Sequence, residues 1–416
     1  MSEEQIEAFL TDYPGAKRAA QGVLVPTNDG GIFHIWGAHS QETLDSVEPN
    51  EHRFLAFCSL QEILRMRSIR TAHDYLLRLR AEAIAASPRA VRVMVARKNR
   101  LENSRRAWSL SQHYHVLDYF HKSYIRCLSR SNSKCLKGIP SGLMLVNEAN
   151  ASCIRSLAGD VVVCSEALHH FYYFMTIGLY GAWHGIGTAD TVNALLIAVR
   201  IMNGSEALDF DLDPRGPLPV EAEREIQAHV LRQMQFTFGH EYAHYLCSHM
   251  DLPAQLSMCG GEASSLDCYD VELIEPKKFE LELEHEADLL AIKAVATGPK
   301  AQATVANGAF SVLLYLYFLE GIRPLLGLRP HAVSRTHPTA EQRIWRLWAS
   351  LSPNVRPGKS WLEQCIKENE RAQQLLKFHV LSEAERHEPQ RDLLGFYGSI
   401  YLPSYKKKLQ RDRIDF

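Results

Sequence analysis

Apolar residues recur at three- and four-residue spacing through most of the chain, a pattern that predicts a largely helical protein. Helix-like stretches cover Glu51–Met66 and Thr71–Ala86, and Pro88 punctuates the second before another stretch at Ala90–Arg97. A short Gly-rich strand-and-turn region lies around Gly22–Gly37. Further on, Glu280–Ala291 reads as a helix with Leu283, Ala287, Leu290 and Ala291 on one apolar stripe. The aromatic segment Phe171–Gly187 is broken by Gly178, Gly181, His184 and Gly185 and reads as core or pocket lining. The most apolar run, Ala309–Leu319, meets Glu320 well short of the about twenty residues a membrane span needs, so it is expected to be a buried helix.

Composition narrows this picture. With 416 residues, 46% hydrophobic and 23% charged, the chain can bury a large core and divide into two or three units. A formal charge of −2 argues against a globally electrostatic binder of nucleic acid or acidic lipid. Basic residues do outnumber acidic ones from Arg97 to Lys137, with Tyr114, Tyr119, Phe120 and Tyr124 interleaved. That segment reads as solvated helix faces, with a nucleic-acid or acidic-partner surface as the alternative. The first fifteen residues are acidic and show no basic-then-apolar leader, and the nine cysteines include no CxxC. Both features set the expectation of reduced thiols and a cytoplasmic location.

The chemistry concentrates in two segments. His240-Glu241-Tyr242-Ala243-His244 is an HExxH run, which on a helix projects both imidazoles from one face, within reach of a single Zn²⁺. Glu241 beside them can reach a metal-activated water without becoming a ligand, as a general base requires. Some forty residues later, Glu284 and Asp288 are again four apart. Glu284 suits a third ligand, and Asp288 the acceptor that fixes the free ring N–H of His240. A longer HExxHxxGxxH pattern is excluded, since Cys247 and Met250 occupy its later positions. His249, five residues beyond His244, is expected to have rotated away from the metal face, and a Cys-His knuckle using Cys247 and Cys259 lacks the usual CxxC. Tyr242 and Tyr245 read as packing residues. The long segment Leu252–Lys278, with Gly260 and Gly261, is expected to form a flap over the cleft.

In order, Asn150-Ala151 with Gly159–Leu168, the HExxH run with His249, Glu284-His285-Glu286-Ala287-Asp288, and Thr336-His337-Pro338 with Arg343-Ile344 resemble the HtpX and CAAX-prenyl-protease group of gluzincin metallopeptidases. The pieces span about half the chain. Two departures stand out: Leu157-Ala158 replace the proline the group carries before its glycine, and no membrane-spanning helix is evident. The resemblance implies that His337 faces the metal centre and hydrogen-bonds the developing oxyanion, and that Arg343 braces its segment through a carboxylate. It also implies that Val161, Val162 and Val163 form an edge strand holding an extended substrate.

Together these readings give an α+β, mostly helical fold in three parts. Residues 1–140 would be a mainly helical sensor, partner-binding or inhibitory domain, closed by the polar Ser129–Ser141 stretch. Residues 141–352 would be a zincin-like peptidase domain with a small sheet and the HExxH helix, entered past Pro214, Pro217 and Pro219. Residues 353–416 would be a charged helical extension. The expected function is zinc-dependent hydrolysis of peptide bonds in a protein or peptide substrate, with a regulatory partner at the N-terminal helices. The alternatives are a non-catalytic zinc-stabilised scaffold or, more narrowly, a regulated stress- or phage-defence protease.

Overall fold

The computed structural model describes residues 3–19, 22–26, 32–35, 41–103, 107–208, 210, 218–249, 281–328, 339–386 and 394. It is mostly helical, with two small sheets. Contacts divide the chain into two compact units, Met1–Ser68 and Ile69–Phe416. That division falls earlier than the boundary expected near residue 140, because the helices of residues 72–136 belong to the larger unit.

In the first unit, helix α1 (Glu3–Asp12) precedes an antiparallel sheet of β1 (Lys17–Arg18), β2 (Val23–Pro26) and β3 (Ile32–Ile35). Ile6 of α1 packs on Val23 and Val25, leaving the charged side of the helix to Arg18, which bridges Glu3 and Glu7. A short helix α2 (Gln41–Asp45) and a 3-10 turn (Pro49–Phe54) lead to α3 (Leu60–Arg67). The stretch read as one helix from Glu51 is thus two pieces, because Ser59 and Glu62 form a capping box that starts α3 afresh.

The second unit opens with α4 (Ala72–Ala85), capped by Thr71 and Asp74, then α5 (Pro88–Asn103), with Pro88 at its first position. Helices α6 (Leu110–Leu117), α7 (Tyr119–Ile125) and α8 (Arg130–Leu136) follow. Next come strands β4 (Ser141–Met144), β5 (Ala151–Ser156) and β6 (Gly159–Ser165), in the order β4-β6-β5. β6 runs parallel to β4 and antiparallel to β5. Alternation sends Met144, Ile154, Val161 and Val163 to one face, where Tyr75, Leu76 and Leu79 of α4 cover them. Gly142 is required where it stands: its φ is +151°, and an added Cβ would lie 2.5 Å from the Arg80 guanidinium, which donates to the Leu143 carbonyl at 2.9 Å.

The remaining elements are α9 (Glu166–Tyr180), α10 (Thr188–Met202), α11 (Val220–Leu246), α12 (Leu281–Lys293), α13 (Pro299–Leu325), α14 (Ala340–Ser350) and α15 (Lys359–Arg386). The aromatic segment becomes α9, and Phe171, Tyr172 and Phe174 are core residues. Gln233 of α11 donates to the Tyr315 hydroxyl of α13 at 2.9 Å, and Tyr172 pairs with Thr237 at 2.9 Å, so the polar groups between α9, α11 and α13 are satisfied. The apolar run at Ala309–Leu319 belongs to a helix of 27 residues that is long and apolar enough to cross a membrane, and 67% of its most apolar window is buried in the protein. It serves here as the central core helix.

The contact of α13 with α11 depends on a missing side chain. A Cβ at Gly308 would sit 2.1 Å from the Arg232 carbonyl oxygen, a backbone atom that cannot step aside alone. Gly308→Ala is therefore expected to destabilise the fold by about 1–3 kcal/mol, despite alanine's better helix propensity, readable as a drop in denaturant midpoint.

The basic segment is partly committed to structure. Arg97 grips the buried Glu166 with two hydrogen bonds, at 3.0 and 2.7 Å, and Tyr114 donates to the same carboxylate at 3.2 Å. Burial would push the Glu166 carboxyl up, but the charge and hydrogen bonds of Arg97 outweigh it and hold it at about 2. Arg97, Arg100, Trp108, His113 and Tyr119 also line a cavity of about 620 Å³.

Candidate metal centre

The long helix α11 delivers the HExxH run near its C-terminal end, where Phe238, Tyr242 and Ala243 face the core and His240 and His244 face α12. Tyr242 is a packing residue, as its periodicity predicts, and its hydroxyl donates to Ser141 of β4 at 2.7 Å. The two imidazoles converge, with their Nε2 atoms 3.0 Å apart. Glu284 of α12 arrives from the other side, its oxygens 3.5 Å from His240 Nε2 and 3.8 Å from His244 Nε2. All three side chains are buried, and their ligand atoms lie close enough together to hold one metal ion. Two imidazole nitrogens and one carboxylate form a donor set suited to zinc, among the divalent metals that imidazole prefers.

The tautomer of His240 is fixed from behind. Its Nδ1 donates to Asp288 Oδ1 at 2.9 Å, and Asp288 is held in turn by Arg343 through two bonds at 2.9 and 2.7 Å. The brace expected of Arg343 thus runs through Asp288 to His240. Burial would raise the Asp288 carboxyl, but Arg343 and His240 together hold it far below the ordinary carboxylate range. Arg343 comes from α14, whose start is set by a Thr339–Gln342 capping box.

Glu241 lies on the adjacent side of α11. Its carboxylate is buried, and no side chain pairs with either oxygen. Burial pushes its carboxyl up to about 7, a rise that the Glu284 charge supports and the His240 charge and Cys153 backbone amide of β5 resist.

Two expectations need correction. Val161, Val162 and Val163 belong to β6, the middle strand, whose backbone pairs on both sides with β4 and β5. The outer strands, each with an unpaired side among the described residues, are β4 and β5, and of the two β5 packs more extensively on α11. A run of buried valines marks a strand covered on both faces and cannot say which neighbour is the edge. The second correction concerns His249. α11 ends at Leu246, and Ser248 adopts a left-handed φ of +57°, which folds the chain back on itself. His249 therefore returns to the centre, with its Nδ1 3.0 Å from His244 Nδ1 and its Nε2 3.2 Å from Glu286. His249 stays outside the His240–His244–Glu284 group, as expected, but it is placed by the turn at Ser248 and not by rotation along a continuing helix.

Three expectations fall outside the described residues: His337 with Pro338, the Leu252–Lys278 flap with Cys259, and the Pro214–Pro217 loop. Compared with known proteins, the chain matches no family model, no curated protein and no solved structure.

In the metal-free centre, burial would lower the His240 imidazole, but hydrogen bonds to Asp288 and Glu284 raise it from 6.5 to about 9. A metal must displace that proton. Zinc affinity is therefore expected to fall about tenfold per pH unit below about 9, which competition titrations at stepped pH would register. The same raised value stabilises the metal-free fold below about 6.5, and this contribution fades as pH climbs through about 9.

Proposed function

We propose that this chain is a zinc-dependent peptidase of gluzincin type, hydrolysing peptide bonds with Glu241 as general base. The observation that carries the proposal is the buried Glu241 carboxylate, with no side-chain partner, beside a convergent His240, His244 and Glu284. Leaving a buried carboxylate without a partner costs stability, and a purely structural metal site would gain nothing from it. The scaffold reading leaves that cost unexplained.

In this reading His240, His244 and Glu284 hold the ion, and Asp288 with Arg343 orients His240. The ion would supply Lewis acidity, polarising the scissile carbonyl and acidifying a water. Glu241 would take the proton from that water and pass it to the leaving nitrogen. An extended substrate would add to β5, where alternation along the antiparallel β5–β6 pair turns every second residue's N–H and C=O away from β6. The zincin-like domain then comprises this three-stranded sheet with α11 and α12, and a protein or peptide is the natural substrate class.

The test is cleavage of a quenched-fluorescent peptide library by the purified chain, with and without a zinc chelator. Activity that is lost on chelation and returns with zinc supports the proposal; cleavage indifferent to chelation excludes it.

A further inference from the structure

His249 and Glu286 have no part in the chemistry described above, yet they stand directly behind a ligand. We infer that His249, backed by Glu286, is a positioning residue that holds His244 in its metal-binding tautomer. The inference rests on the reading of His244 as an Nε2 ligand.

Its basis is the direction of each hydrogen bond. A histidine that binds metal through Nε2 carries its proton on Nδ1 and needs an acceptor there. For His244 that acceptor is His249 Nδ1, at 3.0 Å. A neutral His249 accepting at Nδ1 carries its own proton on Nε2, which lies 3.2 Å from Glu286 Oε2. Every proton in the row His244–His249–Glu286 then has one donor and one acceptor.

The opposite arrangement fails at both ends. Were His249 to donate through Nδ1, His244 would carry its proton on Nε2 and could not bind an ion. The Nε2 of a neutral His249 would then turn a lone pair toward the Glu286 carboxylate, placing two acceptors face to face. The carboxylate therefore selects the tautomer of His249, and His249 selects that of His244. His240 receives the same service from Asp288, so both ligand rings are fixed from outside the metal's coordination sphere. The left-handed Ser248 belongs to this device, because it turns His249 inward immediately after the helix ends. Such a backbone conformation in a residue other than glycine persists where surrounding contacts enforce it.

Cys247, His249 and Glu286 also lie close enough together to hold a cation themselves. In that arrangement His249 Nε2 would be a ligand instead of a donor to Glu286. The side chain of Glu286 is 58% exposed, whereas His240, His244 and Glu284 are all buried, so the relay accounts better for the geometry.

The experiment is a competitive zinc titration of the full chain carrying His249→Phe, His249→Asn or Glu286→Gln, with tautomers read by nitrogen-15 NMR of histidine-labelled, zinc-loaded protein. His249→Phe is expected to weaken zinc binding about 10–100-fold. His249→Asn, whose amide oxygen can accept near the Nδ1 position, is expected to restore most of that loss. Glu286→Gln should give a smaller loss, and none once His249 is already Phe. His244 should show its proton on Nδ1 in the wild type.

Wild-type zinc affinity in His249→Phe, or equal losses in the Phe and Asn variants, would overturn the inference. So would a second bound zinc that disappears in Cys247→Ser, because His249 would then be a ligand. A chain that takes up zinc with the expected dependence on His249 but cleaves no peptide upholds the relay and removes only the peptidase reading.

Discussion

Glu241→Gln is expected to bind zinc as the wild type does and to lose turnover by about 10²–10⁴-fold, the range a positioned general base contributes. Glutamine has nearly the same shape and keeps an oxygen acceptor, but it cannot take a proton. The wild-type carboxylate is buried without a side-chain partner and, in the metal-free protein, is raised to about 7 by that burial. The amide should therefore be easier to bury than the ionised carboxylate, and the metal-free variant is expected to be at least as stable as wild type above pH 7. Loss of activity with equal or greater stability separates a catalytic role from a structural one. Turnover in Glu241→Gln close to the wild-type rate would remove this residue as the base.

The largest stability effect is expected at Arg343. Arg343 and Asp288 are both buried and joined by two hydrogen bonds, so Arg343→Met leaves a carboxylate with its principal counter-charge gone. Breaking a buried pair from one side typically costs about 3–5 kcal/mol. Pairing the change with Asp288→Asn should recover much of that stability, because no unpaired charge remains. It should not recover zinc affinity, since His240 then loses its anionic acceptor. Denaturant unfolding of the metal-free proteins, alongside zinc titration, would resolve the two effects. A double variant no more stable than Arg343→Met alone would contradict this account of the pair.

The centre was more legible in the sequence than the frame around it. Spacings of four on a helix are rigid, so His240 with His244 and Glu284 with Asp288 could be placed in register before any fold was known. Their convergence follows from α11 and α12 crossing face to face. Arg343 was reached only by resemblance, because no local pattern ties α14 to α12. The strand assignment failed for a different reason: Val161–Val163 read as a strand correctly, but edge or centre depends on which neighbours pair, a non-local property. The turn that places His249 was hidden because helix termination at Leu246 and a left-handed Ser248 carry no strong sequence mark when the cap is not glycine. The early division at Ser68 was equally hidden, since the helices on either side share the same apolar periodicity.

The central claim is that His240, His244 and Glu284 together hold one catalytic ion, and metal stoichiometry tests it most directly. Elemental analysis of the purified chain after equilibration with zinc is expected to give one tightly held ion per molecule, and almost none in His244→Ala or Glu284→Ala. Zinc retained at the wild-type level in both variants would place the ion elsewhere and contradict the account.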